Sequence, residues 1–523
     1  MNSRLLIYND NVSFFKKFNS KIAFKPTADI DEYITKNIIP QLKTSKAKII
    51  YIKDNLSSNY LELYGLRLIY HIRLSQELGN KRFLPIVLLS DLDTYLLNRL
   101  TPMAKVLFTK NIFVAPNSIE SLGKIEIKEF KEEEFERKFL NLIEVEAPKD
   151  YLSHHDISNE WAIYRWAEFL KINDSQAINQ NREKIASMLY FKYLLARNPI
   201  TIKKKNGIQF VPRPPENSGK ILYIDDEWAK GWSDIFKHYF SKNKNIEFET
   251  LEYNFKDSNK FKIISDIDKR VKSYNPDLVL LDLRLTQSDH KSKEIDDFTG
   301  IKVIKIIKEI NPAIQVVILS ATGKSLILEK LYRYNILGYI KKEHPTDNSI
   351  DTKESFEHLK ELIDTGLGKK YLKEIWNIQN RILDLELFEK ENFKQMRFEI
   401  GSVFEILDSN INMQKRYIYA MLSIHQCLEE INNCYIDDKR AVWIDTQKPI
   451  NVKNSTKNKI LEVLTKRLRL YGFEEKINEI AHLRNGVIHP NGREINIRSE
   501  QILDWFEMLE NILKKVSSDQ PNH

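Results

Sequence analysis

Five polar positions in the middle of this chain sit where apolar runs end. Asp225 and Asp226 close the run ILYI, Asp282 closes LVLL, Ser320 closes QVVIL, and Lys342 follows GYIK. Runs of that kind read as buried strands. If the strands are parallel, all five groups gather at the carboxyl edge of one sheet, where open α/β sheets bind ligands. Three carboxylates at one edge repel each other unless a hard cation sits among them. Mg²⁺ suits such a set, because it takes few carboxylates and keeps sites for water and phosphate oxygens. A hydroxyl and an ammonium beside them can hold the remaining oxygens of a phosphoryl group.

The elements that must carry these groups follow from length and patterning. At 523 residues and 61.8 kDa the chain exceeds one core, and about three or four domains are expected. With 42% hydrophobic and 29% charged residues it is globular, and 15 Gly and 16 Pro exclude low-complexity architecture. A net charge of +8, spread over the length, tolerates an acidic partner such as RNA without demanding one. Two cysteines, Cys427 and Cys434, are too few for a disulfide framework or a four-ligand zinc site and read as thiols in a reducing compartment. No signal-peptide pattern opens the chain and no stretch approaches ~20 apolar residues, so no membrane contact and a cytoplasmic location are expected.

Four zones separate along the chain. Residues 1–140 alternate short apolar runs (LLIY, AKIIYI, LPIVLLS, KVLF) with helical patterns, which predicts a parallel sheet covered on both faces. Residues 141–218 form a helical, aromatic-rich connector ending in a hairpin at Asn206-Gly207 and a PRPPENSG linker. Residues 219–368 alternate again, and residues 369–523 carry helical periodicity only. The two alternating zones look like copies of one unit: RLLIYNDN registers with KILYIDDE, GLRLIYHIR with GIKVIKIIK, and PIVLLS with QVVILS. The predicted fold class is therefore two flavodoxin-like, doubly wound parallel-sheet domains followed by an all-α domain.

The zone from 219 to about 345 resembles the receiver domain of two-component response regulators. That resemblance implies Asp282 as phosphoacceptor, Asp225, Asp226 and Asp282 as Mg²⁺ ligands, and Ser320, Tyr339 and Lys342 as switch residues. It implies a histidine kinase or phosphotransfer protein as partner. Two positions depart from the pattern. Glu343 stands where the family usually has proline, and the loop Thr286–Thr299 is long and charged, suited to covering the site or docking a partner.

In the first copy the chemistry is eroded: Asn9 replaces the first acid, Asp10 keeps the second, Asp54 lies near the acceptor position, Ser90 keeps the hydroxyl and Lys110 matches the lysine poorly. This zone reads as a degenerate receiver retained for contacts. In the connector, His154-His155-Asp156 looks a little like the phosphoacceptor box of histidine kinases, but no Gly-rich nucleotide motif accompanies it. Asp156 or Ser158 capping the helix is the reading adopted.

Near the C-terminus, Arg484, Asn485 and His489 fit the Arg-Asn-x-x-x-His motif of HEPN domains. That resemblance implies metal-independent RNA cleavage at a dimer interface, with His489 as general base or acid, Arg484 holding the phosphate charge and Asn485 positioning groups. The residue types suit the task. Arg484 and His489 closing a helix end is the non-catalytic alternative. The stripe Leu372, Ile375, Trp376, Ile382 and Leu383, with the aromatic connector helices, predicts a homodimer. Two functions follow: a phosphorylated receiver controlling a HEPN ribonuclease in stress response or phage defence, or a non-enzymatic regulator whose helical domain binds a protein or nucleic-acid partner.

Overall fold

The computed structural model describes residues 3–9, 17–18, 20–26, 29–59, 61–118, 128–148, 154–199, 212–256, 258–292, 294–321, 330–345, 352–409, 411–450, 455–488 and 495–519. Asp10, the expected hairpin at 206–207 and His489 lie outside them.

Two five-stranded sheets share one topology. In the first, β1 (Arg4–Tyr8), β2 (Ser20–Ala23), β3 (Ile49–Lys53), β4 (Ile86–Leu89) and β5 (Ile112–Ala115) run in the order β2-β1-β3-β4-β5. In the second, β6 (Gly219–Ile224), β7 (Ile246–Thr250), β8 (Leu278–Leu281), β9 (Gln315–Ser320) and β10 (Gly338–Lys341) run β7-β6-β8-β9-β10, and every pairing in both sheets is parallel. Central strands read as unbroken apolar runs because helices cover both faces, and β8 and β9 are buried throughout. The edge strands β2 (SKIA) and β7 (IEFET) are half exposed and charged, so no apolar run announced them. The run KVLF is not a strand. It lies in a 3₁₀ helix, Pro102–Phe108, started by the proline and the Thr101 cap, and the fifth strand follows at Ile112.

The connector is not a free linker. Its first helix, His154–Leu170, lies between the two sheet units and contributes to both cores. Ile157 and Trp161 pack with Phe191 and Leu189 on the N-terminal side, while Ile163, Trp166 and Ala167 pack with Trp232, Phe236 and Phe356 on the central side. Asp156 and Ser158 sit inside this helix, so neither is its N-cap.

Among its described residues the C-terminal region is helical apart from a two-strand ribbon, β11 (Ile436–Asp437) and β12 (Val442–Trp443). The stripe predicted as a dimer surface turns inward: Leu372, Ile375 and Ile382 are fully buried in the core of this region, and Trp376 and Leu383 pack against it. The aromatic connector helices are likewise covered within one chain, which removes the apolar surface on which the homodimer expectation rested. The helix that carries the stripe runs Tyr371–Leu383. It meets the central sheet at its amino edge, where Lys373 Nζ reaches Asp277 (2.8 Å) and the carbonyls of Asn275 and Pro276 (both 2.9 Å).

Candidate functional site: an acid pocket on the central sheet

Asp225 and Asp226 follow β6, Asp282 follows β8, Ser320 ends β9 and Lys342 follows β10, so all five meet at the carboxyl edge. Oxygens of Asp225, Asp226 and Asp282 lie within 4.8 Å of one another. Lys342, fully buried, donates to Asp225 Oδ2 (2.9 Å) and Asp282 Oδ2 (3.2 Å). Burial works against the lysine charge, but Asp225 and Asp282 outweigh it and hold its pKa above the usual range.

Asp225 accepts from three donors, Lys342 among them. Its Oδ1 accepts from the Glu227 amide (2.7 Å), and its Oδ2 also accepts from the Tyr223 hydroxyl (2.7 Å). Asp226 is the contrast: its Oδ1 is enclosed with no hydrogen-bond partner among the described residues. Burial, then Asp225, Asp282 and Glu227, push its pKa up to about 8, with Lys342 opposing. Ser320 Oγ is also buried without a partner among the described residues. Buried polar atoms are nearly always paired, so one orphaned oxygen within the carboxylate cluster and another at the end of the adjacent strand β9 suit a ligand there. A hard cation fits this donor set: three carboxylates close together, one of them with an oxygen left open.

Tyr339 donates its hydroxyl to the Ser320 carbonyl (3.1 Å), and burial followed by Asp282 raises its pKa above the usual range. Sequence reasoning missed Tyr223, although it lies two residues before Asp225 and so on the same strand face. The long charged loop after Asp282 is ordered. That loop is pinned by Asp289, fully enclosed, which accepts from the amides of Leu285 (3.0 Å), Thr286 (3.1 Å) and Thr299 (3.1 Å), from Thr299 Oγ1 (3.0 Å) and from Lys260 Nζ (3.2 Å). Ile295 and Phe298 of the loop are buried in the core.

Glu343, where proline was expected, is buried and holds Arg165 of the connector helix at 2.5 Å, Trp166 Nε1 at 3.2 Å and Thr352 Oγ1 at 3.1 Å. No cis peptide occurs among the described residues.

The first sheet places different residues at the same stations. Ile7 faces Ile52 as Ile224 faces Leu281, and Ile52 faces Leu88 as Leu281 faces Ile318. Gly65 N donates to Asp54 O (2.9 Å) as Gly300 N donates to Leu283 O (3.0 Å). A Cβ on Gly300 would lie 2.7 Å from both Asp282 O and Leu283 O, and one on Gly65 would crowd Lys53 O and lie 2.8 Å from Asp54 O, so both stations require glycine. Leu89 faces Ala115 as Leu319 faces Ile340. Tyr8, Asn9, Lys53, Ser90 and Asn117 therefore occupy the stations of Asp225, Asp226, Asp282, Ser320 and Lys342. The sequence register was one residue out. Asn9 stands at the second acid, Asp54 lies one past the acceptor and is bonded to Ser90 Oγ (2.5 Å), and Lys110, at the amino end of β5, pairs with Glu134 (2.6 Å).

Arg484 and Asn485 lie on the last turn of the helix Glu474–Ile488, with Arg484 half-buried and Asn485 exposed. Arg484 donates to Asn485 Oδ1 (3.3 Å) and lies close enough to the buried His425 to help depress its pKa, after burial itself. The structure therefore brings together two members of the three-residue motif and leaves the third outside its described residues.

None of the curated proteins compared matches the chain. Solved structures similar to it include the signal receiver domain of the putative Luxo repressor protein from Vibrio parahaemolyticus, with 16% identity, 30% of this chain and 96% of that chain covered, and a TM-score of 0.22. NtrX from Brucella abortus is 14% identical, with 58% of this chain and 84% of that chain covered, also at a TM-score of 0.22. At those scores neither carries an argument about function. The family model described as Inactive Receiver domain matches residues 4–115, the segment in which the acid, acceptor and lysine stations hold Tyr8, Asn9 and Lys53 with Asn117 just beyond it.

Proposed function

We propose that the chain is a response-regulator-type protein whose central sheet is a phosphorylatable receiver and whose N-terminal sheet is an inactive one. The carrying observation is the pair of orphaned oxygens, Asp226 Oδ1 and Ser320 Oγ, beside three clustered carboxylates and a buried lysine. Asp225, Asp226 and Asp282 would hold Mg²⁺, which supplies positive charge against a phosphoryl group. Asp282 is the nucleophile. One Asp282 oxygen attacks phosphorus of a phosphodonor, an acyl phosphate forms, and the donor's bond to phosphorus breaks with its electron pair leaving on the donor. Lys342 and the Ser320 hydroxyl pair with the phosphoryl oxygens, and the Asp289 network keeps the loop after Asp282 in place. The physiological donor is a histidine kinase or phosphotransfer protein. With a small phosphodonor and Mg²⁺, wild type is expected to label on Asp282, Asp282→Asn to lose label entirely, and Asp54→Asn to keep it. Label retained in Asp282→Asn would sink the assignment.

The helical C-terminal region is the candidate output. Its Arg484, Asn485 and His489 support a ribonuclease reading through the motif, and the non-enzymatic alternative assigns them to helix closure. Expression of wild type and His489→Ala, scored for growth and total-RNA integrity, separates these. Equal behaviour under all inducing conditions favours the binding protein.

A further inference from the structure

Beside the acid pocket a buried joint links the central sheet to the connector helix. Glu343 follows Lys342 directly and is 5% exposed, and Arg165, its partner, is 7% exposed. Besides Glu343, Arg165 donates to Thr352 Oγ1 (3.1 Å) and to the carbonyl of Asn198 (2.9 Å), and it lies over the Trp161 ring. Asn198 in turn donates to the carbonyl of Pro345 (3.2 Å). Thus one ion pair gathers the segment after the site lysine, the start of the helix Thr352–Gly368 and two segments of the connector, at Arg165 and Asn198. A second contact runs parallel to it. Asn159 of the same helix accepts from Trp232 Nε1 (2.6 Å) and donates to Glu227, and the Trp232 ring lies 5.2 Å below Lys342 Nζ. The connector then enters the N-terminal core through Trp161, Phe191 and Leu194. The C-terminal region, by contrast, is fixed to the amino edge, roughly 15 Å away across β8 at about 3.3 Å per residue.

We infer that Glu343 is a positioning residue that couples phosphoryl binding at the central pocket to the docking of the connector helix, so that the inactive receiver reads the state of the active one. This rests on the phosphorylation reading above. As arranged here, Lys342 spends its donors on Asp225 and Asp282. A phosphoryl group on Asp282 draws Lys342 toward its oxygens, and Glu343, one peptide away in a fully packed joint, has to follow or release Arg165. Packed joints of this kind switch between discrete arrangements rather than deforming smoothly. Coupling is reciprocal, so weakening the Glu343–Arg165 pair changes the pocket's affinity for a phosphoryl mimic.

The test uses the full chain with Mg²⁺ and beryllofluoride. Binding is followed by fluorine NMR and docking by hydrogen exchange in residues 154–170. Wild type is expected to bind the mimic and change exchange in that helix. Glu343→Gln is expected to bind the mimic about fivefold or more tighter, with the helix response lost. The paired variant Glu343→Gln/Arg165→Gln, which leaves no buried charge unpaired, should behave the same way and guards against misfolding of the single variant. Mimic binding in wild type with unchanged exchange in the helix, or unchanged affinity in both variants, overturns the coupling while leaving the phosphorylation reading intact. Absence of mimic binding in wild type overturns both.

Discussion

The two sheets of this protein have the same strand order and the same glycine station, yet one edge concentrates charge and the other has dispersed it. At the central edge three carboxylates surround one buried lysine. At the N-terminal edge the equivalent stations carry Tyr8, Asn9, Lys53 and Asn117, and the buried charges have moved to a joint with the connector, where Asp31 holds Arg67 (2.5 Å) and His71 (2.8 Å) beside Lys192. The fold does not need the acids. Gathering like charges is destabilising unless a counter-charge is present, so their persistence at one edge and loss at the other separates a site from a scaffold.

Breaking the central edge should have the largest effect. Lys342→Met leaves the carboxylate cluster without its buried cation and should lower the stability of the central unit by about 3–5 kcal/mol in denaturant titration without divalent ions. Mg²⁺ should restore much of it. Placing a lysine at the equivalent station of the other sheet, Asn117→Lys, should shift stability by no more than about 0.5 kcal/mol, because no acid cluster awaits the charge among the described residues. A comparable loss from both would erase the distinction.

The N-terminal charges give a smaller, pH-dependent effect. Burial, opposed by Asp31 and reinforced by Lys192, lowers the pKa of His71 to about 4. The unfolded chain binds a proton below about 6.5 and the folded chain only near 4, so unfolding takes up a proton in that window. Stability of the N-terminal unit should therefore fall as pH drops from 6.5 toward 4, by about 2–3 kcal/mol. Asp31, whose pKa is held low against its burial by His71 and Arg67, adds a loss at still lower pH. His71→Gln should flatten the upper part of that slope, and an unchanged slope would show that the proton goes elsewhere.

The central edge was legible in the sequence because each of its groups ends an apolar run, and burial on both faces makes such runs conspicuous. The erosion of the first copy was legible as lost chemistry but not in register. RLLIYNDN aligns by residue type with KILYIDDE, whereas β1–β3 pairing and the Gly65 contact set the position one residue over. Tertiary partners were not legible. Glu343 looked like a lost proline and is a buried ion pair to a residue 178 positions away. Leu372 and Ile375 looked like a free stripe and are core, because only the fold shows what covers a helical face.

Among the described residues, one cluster of three carboxylates stands together, and it lies on the second sheet. Calorimetric titration of the full chain with Mg²⁺ tests it most directly. One site per chain is predicted for wild type and for Asp54→Asn, and none for Asp226→Asn/Asp282→Asn. Two sites per chain, or binding that survives in the double variant, would contradict it.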